Sequence, residues 1–287
     1  MSKQLDDLLA QVLAIDEEMR RTSATMPWYR GHGDPRWQLV STLHRHVNHM
    51  VEPIAHPPMT MVDYLYAEYK TLYRTFKDQA WPLLDVWGRS EWGVIFAMQH
   101  YGIPTRLLDW TESFGCALFF AHHNRVKGTQ ATVWALDPER LNEKTIEQNG
   151  IVSIDEITTA DSINTHHWHP RYAQASTDLP TMAVSPMFAN TRMLAQRSRF
   201  TLSGDSFSPL DRQYNGAFVR DRILIKIDIP ADLHDELDDY LRVSGLRPFT
   251  FFPDLEGLRL EHEARVRRSF RELDRFASHA LKPKAPK

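Results

Sequence analysis

The stretch QHYGIPTRLLDWT, residues 99–111, places polar, charged and aromatic side chains around Gly102 and Pro104. A proline disfavours helical geometry in the residue before it, so a helix entering this stretch should end before Pro104. The remainder is interpreted as a loop, because it is too polar for a core strand. Loops held by a rigid scaffold often carry binding and catalytic groups. The stretch therefore predicts a helix end followed by a loop that lines a pocket.

Working outward, apolar residues recur at helical spacing over 60–79 and 90–101, which predicts a helix on either side of a short connection. Thr111 or Ser113 is a suitable N-cap for the next helix, which covers the apolar segment up to residue 127. Residues 131–137 and 221–230 combine apolar runs with alternation and predict strands. Residues 150–185 show no clean period and are interpreted as a loop-rich excursion.

Towards the N-terminus, residues 3–21 predict an amphipathic helix that packs on the body of the protein. A short strand is expected to begin at Trp28, followed by a turn and a second strand from Trp37 to Val40. Near the C-terminus, residues 231–245 and 253–280 are expected to be helical.

These elements predict a single compact α+β domain that is rich in helix and contains a small mixed or antiparallel sheet. We divide the chain into an N-terminal amphipathic helix (1–24), a main domain (25–280) and a disordered tail (281–287).

Composition excludes several classes of protein. The net charge is −3 and 42 % of residues are hydrophobic, as in ordinary soluble proteins. The single cysteine, Cys116, cannot form an intrachain disulfide and is expected to be a buried apolar residue. We find neither a signal peptide nor a membrane span, so the expected location is the cytoplasm.

Histidines cluster at His44, His46 and His49 and again at residues 166–169, and zinc accepts imidazole ligands. No cysteine accompanies them and HEXXH is absent, so we predict no metal site. P-loop, GxSxG and Rossmann patterns are also missing, which leaves kinases, hydrolases and dehydrogenases without support.

Four blocks resemble the FRG domain family: WYRGHGDPRWQLVSTLHR (28–45), MQHYGIPTRLLDWTESFGCALFFA (98–121), RMLAQRSRFTL (192–202) and FFPDLEGL (251–258). The aromatic-Arg-Gly motif is Tyr29-Arg30-Gly31. Proteins of this family are mostly bacterial or phage-associated.

The pattern is also similar, more distantly, to the ADP-ribosyltransferase superfamily, which implies an NAD site. Its aromatic-Arg-Gly strand and Ser-Thr element would correspond to Tyr29-Arg30-Gly31 and Ser41-Thr42. Its late Glu would be Glu256, or alternatively the pair Glu261 and Glu263.

The residue chemistry allows two roles for Arg30. It could clamp a ligand while Gly31 lets that ligand approach the backbone, or it could be a structural partner of Asp109. Arg45 and Arg106 are further cations from the same blocks. Three arginines suggest a phosphate or diphosphate site, because the guanidinium fork matches phosphate oxygens.

The same stretch offers groups that could hold a nucleobase or ribose. Tyr101 or Trp110 could stack on a ring, although Trp110 is more simply a core residue, while Gln99 and His100 could bond a ring edge or a ribose hydroxyl. Asp109 is expected to orient Arg106 or the turn.

The first functional hypothesis is an FRG-domain protein with a nucleotide (NAD-like) pocket, whose enzymatic form is ADP-ribosyltransferase-like and acts in bacterial conflict or phage defence. Arg30, His100 and Glu256 would be catalytic. The NAD-binding set would be Tyr29, Gly31, Ser41, Arg45, Gln99, Tyr101, Arg106 and Asp109. The alternative is a non-catalytic module that recognises a nucleic acid or a nucleotide signal.

Overall fold

The computed structural model describes residues 2–48, 60–85, 88–154, 165–171, 178–186 and 190–280. Within these ranges seven strands form one mixed sheet in the order β4-β5-β6-β2-β1-β3-β7, with β4 and β5 parallel and the other pairs antiparallel. The strands are β1 (Trp28–His32), β2 (Leu107–Thr111), β3 (Ala131–Leu136), β4 (Val152–Ser153), β5 (Met182–Ser185), β6 (Ser198–Leu202) and β7 (Leu224–Ile229).

Helices surround the sheet, and the α+β class predicted from the sequence is confirmed. They are α1 (Lys3–Thr22), α2 (Thr42–Asn48), α3 (Met61–Ala80), α4 (Glu91–His100), α5 (Phe114–His123), α6 (Pro138–Ile146), α7 (Thr191–Ala195), α8 (Gln213–Arg220), α9 (His234–Val243), α10 (Pro248–Phe251) and α11 (Leu255–Ala280). Ser90 and Ser113 cap α4 and α5 by accepting a backbone N–H of the first turn. None of the described helices is long and apolar enough to cross a bilayer.

The loop interpretation of residues 107–111 is wrong, because these residues form β2. Leu107, Leu108, Trp110 and Thr111 are buried and only Asp109 is exposed, so the one charged side chain of the strand is also its one exposed side chain. The strand expected from Trp37 to Val40 is also absent, since this segment runs as irregular backbone. The tail 281–287 and much of the excursion 150–185 lie outside the described residues.

The core lies on both faces of the sheet. The apolar face of α1 contributes Leu5, Leu8 and Val12 to the hydrophobic cluster that also contains residues of β3 and β7. This helix therefore packs on the sheet. The α5 helix belongs to this cluster too, and Cys116 is fully buried within it, as expected.

The sheet is nearly divided in two between its central strands. The β1 strand pairs with β3 over five residues and β2 pairs with β6 over five residues, but β1 and β2 share the single register pair Tyr29 and Thr111. Beyond that pair the strands separate, which opens a gap between Arg30 and Asp109.

Helix α5 lies directly against β1. A Cβ added to Gly31 would sit 1.9 Å from the Ala117 carbonyl oxygen and 2.6 Å from the Ala121 nitrogen. Gly31 is therefore required for contact between the strand and the helix backbone. The missing Cβ thus serves the packing of α5, although Gly31 also lies in the lining of a cleft beside β1.

Candidate functional site

A cleft of about 310 Å³ lies at the place where β1 and β2 separate. Its polar lining comes from β1, β2, α2, α4 and α7, with Trp37 contributed by the loop after β1. A recess of about 80 Å³ continues it, sharing Gln99, Asp109 and Arg192 and adding His100. Residues more than 160 positions apart in the chain thus meet in one depression.

Arg30 bridges the gap between the two central strands. Its Nη1 donates to the Asp109 carbonyl oxygen at 2.6 Å, and its Nε donates to His32 Nε2 at 3.1 Å. The Asp109 carboxylate is 3.7 Å from Nη1, within ion-pair range but beyond a hydrogen bond. Arg30 Nη2 makes no hydrogen bond to any described residue and remains able to bind a ligand. The structural contact of Arg30 with Asp109 is thus present, and its role as a ligand clamp stays a prediction.

His32 supports Arg30 as a neutral imidazole. Burial, followed by the charge of Arg30, lowers the pKa of His32 to about 3. Because Nε2 accepts the Arg30 hydrogen bond, the ring proton lies on Nδ1. Trp37 packs edge-on against this ring with centroids 6.0 Å apart.

Two further arginines enter the cleft without a carboxylate partner among the described residues. Arg45 lies on α2, where its Nη2 donates a 3.2 Å hydrogen bond to Thr42 Oγ1, and Arg192 lies on α7. The Arg192 guanidinium carbon sits 4.3 Å from the centre of the Phe252 ring, a cation–π contact that restrains its position. Burial lowers the pKa of Arg192, and the charges of Asp254 and Asp109 partly oppose that effect.

Asp109 is the one acidic residue among the described residues that line the cleft. Its side chain is 56 % exposed, and Oδ2 accepts a 2.8 Å hydrogen bond from Gln99 Nε2. The other end of the Gln99 amide accepts from Thr105 Oγ1. Gln99 therefore holds the carboxylate with one N–H, and its second N–H has no bond to a described residue.

The exposed aromatic ring at this site is Trp37, half-exposed at 49 %, which the sequence interpretation missed. Tyr101 is 70 % exposed but belongs to neither the cleft nor the recess, so it is removed from the stacking role. Trp110 is buried and donates Nε1–H to Thr201, which agrees with its interpretation as a core residue. Tyr29 lines the cleft wall while its hydroxyl donates to Asp16.

Arg106 and Ser41 do not line the cleft, which corrects their assignment to the NAD-binding set. Arg106 is 0 % exposed, and its Nη2 donates to Asp205 Oδ1 at 2.6 Å. Ser41 is buried and bonds His44 Nδ1 at 2.7 Å, while His44 Nε2 bonds the Gly204 carbonyl at 3.0 Å. These groups form a buried polar network that joins α2 to the segment after β6.

Glu256 also lies away from the cleft. It is exposed on α11, and both of its carboxylate oxygens accept hydrogen bonds from Arg259. Of the alternative pair, Glu261 lies 3.6 Å from Arg247 and Glu263 bonds Arg259. No described glutamate lines the cleft, because the first turns of α11 present their charges to one another and to solvent.

His100 lines the recess rather than the main cleft. Burial, followed by the charge of Arg192, lowers its pKa. Among the described residues, no group of three or more His, Cys, Asp or Glu side chains is arranged to hold a metal ion. His49 and the side chain of His166 fall outside the described set.

The sequence did contain a signal for Arg192, because it begins the block RMLAQRSRFTL. Nothing in that block distinguishes Arg192 from its neighbours Arg197 and Arg199, of which Arg199 pairs with Glu112. The strand gap and the position of α7 determine which arginine faces the cleft.

Comparison with known proteins gives a match to one family model. Neither the curated proteins nor the solved structures yield a significant match. Residues 25–130, however, match the family model of the FRG domain, a range that includes β1, α2, α5 and β2 and therefore Arg30, Arg45 and Asp109. Arg192 and Glu256 lie beyond the matched range. The chain carries an FRG domain, whose aromatic-Arg-Gly strand forms one wall of the cleft.

Proposed function

We propose that the cleft binds a phosphate-bearing nucleotide, with NAD as the leading candidate. The observation that carries this proposal is the meeting of Arg30, Arg45 and Arg192 from three separate elements, with one carboxylate between them. Three guanidinium groups facing one described carboxylate leave excess positive charge. An anion with several oxygens, such as a diphosphate, would neutralise it.

The shape of the cleft supports a nucleotide rather than a simple anion. Its volume of about 310 Å³ is at the lower end of the range of small-molecule pockets. Trp37 offers a half-exposed indole face at the site, on which a nucleobase could stack. In this arrangement the arginines hold the phosphates and Trp37 holds the base.

The enzymatic form of the proposal uses Asp109 in place of Glu256. In an ADP-ribosyl transfer the bond between nicotinamide and ribose breaks, its electron pair leaves with nicotinamide, and the ribose becomes cationic. A carboxylate stabilises that cation when it lies beside it. Asp109 lies in the cleft and is oriented by Gln99, whereas Glu256 is held by Arg259 outside it.

Arg192→Gln is expected to weaken binding of NAD and of ADP-ribose at least tenfold with little change in stability. This follows because a hydrogen bond to a charged group contributes about 1.5–3 kcal/mol and Arg192 forms no ion pair with a described residue. Isothermal titration at low salt measures the affinity. Arg21→Gln, the same change on the exposed face of α1, is the control and should bind as the wild type does. Equal affinities of the two variants would contradict the proposal.

The base and phosphate contributions are separable in the same titration. Trp37→Ala should weaken NAD and leave inorganic pyrophosphate unaffected, whereas Arg192→Gln should weaken both. A Trp37→Ala protein that binds NAD as tightly as the wild type would remove the stacking role.

Asp109→Asn is expected to keep NAD affinity within about threefold, because the amide oxygen still accepts from Gln99. The same change should slow nicotinamide release at least a hundredfold, which is the effect of losing a group that stabilises charge in the transition state. Chromatography of free nicotinamide measures the rate. If the wild type binds NAD but releases no nicotinamide, the protein is a binding module and Asp109 has no catalytic role.

The absence of a described glutamate from the cleft favours that second candidate, a non-catalytic module that recognises a nucleotide signal or a nucleic-acid end. Nucleic-acid binding would weaken steeply with salt and form no product. The setting that we propose is bacterial conflict or phage defence in the cytoplasm, and the FRG match supports it only through the resemblance to bacterial and phage-associated proteins.

A further inference from the structure

A second cavity, of about 430 Å³, lies between the end of α5, the start of α9 and the middle of α11. It shares no lining residue with the cleft or the recess. Its charged lining comprises Arg125, Lys127, Arg267 and Arg268 against Asp238 and Glu263. Three histidines line it as well, so basic and imidazole groups dominate.

Arg125 is the most informative residue of this cavity. It is only 7 % exposed, yet it forms no ion pair with any described residue. Its Nη1 donates to the Pro230 carbonyl oxygen at 3.1 Å, its Nη2 lies 3.4 Å from His122 Nδ1, and its Nε has no partner. Buried arginines are normally paired with an anion, because an uncompensated buried charge is strongly destabilising.

Two neighbouring histidines place imidazole nitrogens beside Arg125. His122 and His234 lie with ring centroids 4.7 Å apart, and His234 Nδ1 is buried without a partner. Burial, followed by the charges of His122 and Arg125, lowers the pKa of His234. An anion in the cavity would allow these imidazoles to donate hydrogen bonds.

The carboxylates at the cavity do not offset the cations. Glu263 already bonds Arg259 and lies 3.8 Å from Arg267, while Asp238 lies 3.7 Å from His122. Lys127 pairs with Asp235, but Arg268 forms no ion pair with a described residue. The side of the cavity formed by α11 therefore presents a free guanidinium opposite the buried Arg125.

We propose that this cavity is a second anion site, which binds the phosphate group of a small molecule independently of the first cleft. Arg125 and Arg268 bind the phosphate oxygens from opposite sides, and His122 and His234 donate to them. A volume of about 430 Å³ exceeds the needs of free phosphate and has room for a sugar attached to it.

The experiment compares inorganic phosphate with ribose 5-phosphate in a background that disables the first cleft, Arg192→Gln. Calorimetric binding should persist in this background, with ribose 5-phosphate the tighter ligand. Adding Arg268→Gln should weaken both ligands about fivefold or more, because an exposed cation that contacts the phosphate is lost. The C2 proton resonances of His122 and His234 should shift on binding.

Arg265→Gln is the matched control, because Arg265 is exposed one turn earlier on α11 and does not line the cavity. Equal affinities with Arg265→Gln and Arg268→Gln would overturn the proposal. Complete loss of phosphate binding in the Arg192→Gln background would also overturn it, and would locate all anion binding in the first cleft. Equal affinity for the two ligands would identify phosphate itself as the ligand of this site.

Discussion

Arg106→Met is expected to lower the free energy of unfolding by about 3–5 kcal/mol, the range for removing one partner of a buried ion pair. The change strands Asp205, whose carboxylate keeps only the Tyr66 hydroxyl and the Leu179 N–H as donors. It also removes the Arg106 Nε donor from the Ser203 carbonyl oxygen. Urea denaturation monitored by fluorescence measures the loss.

Arg36→Met is the control for this prediction. Arg36 also bonds an aspartate, Asp34, but its side chain is 88 % exposed, so the change should stay within about 1 kcal/mol of the wild type. The double variant Arg106→Met, Asp205→Asn should lose less than the sum of the single changes, because no charge is then left buried. A loss below 1 kcal/mol for Arg106→Met would show that the ion pair is dispensable and would reopen a ligand role for Arg106.

Gly31→Ala is expected to destabilise the fold by about 3 kcal/mol or more, at the upper end of the cost of overpacking a core. The added Cβ meets the backbone of α5 at 1.9 Å, and a helix backbone cannot rotate away as a side chain can. The strand and helix would have to separate, which would open the core around Ala117. Denaturant midpoints measure the effect.

Gly115→Ala tests whether that cost comes from the backbone clash. Gly115 lies in α5 itself, and its added Cβ would meet Leu246 Cδ1 at 2.9 Å, which is the end of a flexible side chain. Helix propensity favours alanine by about 1 kcal/mol, so this variant should be near neutral. Should Gly31→Ala prove as stable as Gly115→Ala, the close packing of β1 on α5 would be refuted.

Local sequence patterns were sufficient to predict half of the described helices and strands. The helices α1, α3, α4, α5, α9 and α11 and the strands β1, β3 and β7 follow from the spacing of their apolar residues. The main failure was β2, because Asp109 and the neighbouring Arg106 made the segment resemble a loop. A central strand tolerates one charged position when that position faces a gap in the sheet, and the gap is not a local property.

Only some of the residues of the candidate site could be identified from the sequence. Arg30, Arg45 and Asp109 were found from the blocks that contain them, and the cleft brings them together. Arg106 stands in the same block as Asp109 but is buried against Asp205, almost a hundred residues away in the chain. The sequence offered no means of choosing between a ligand and a distant carboxylate as the partner of an arginine.

By itself the sequence determined the α+β class, most of the helices, the burial of Cys116 and the aromatic-Arg-Gly strand of an FRG domain. These properties depend on spacing within a few turns of chain or on a motif of adjacent residues. The tertiary structure alone decided that the sheet opens beside Arg30, that Arg192 and Trp37 complete the cleft, and that Ser41, Arg106 and Glu256 are committed elsewhere. Whether a polar side chain serves a ligand or the fold depends on which groups surround it in space, and those groups come from every part of the chain.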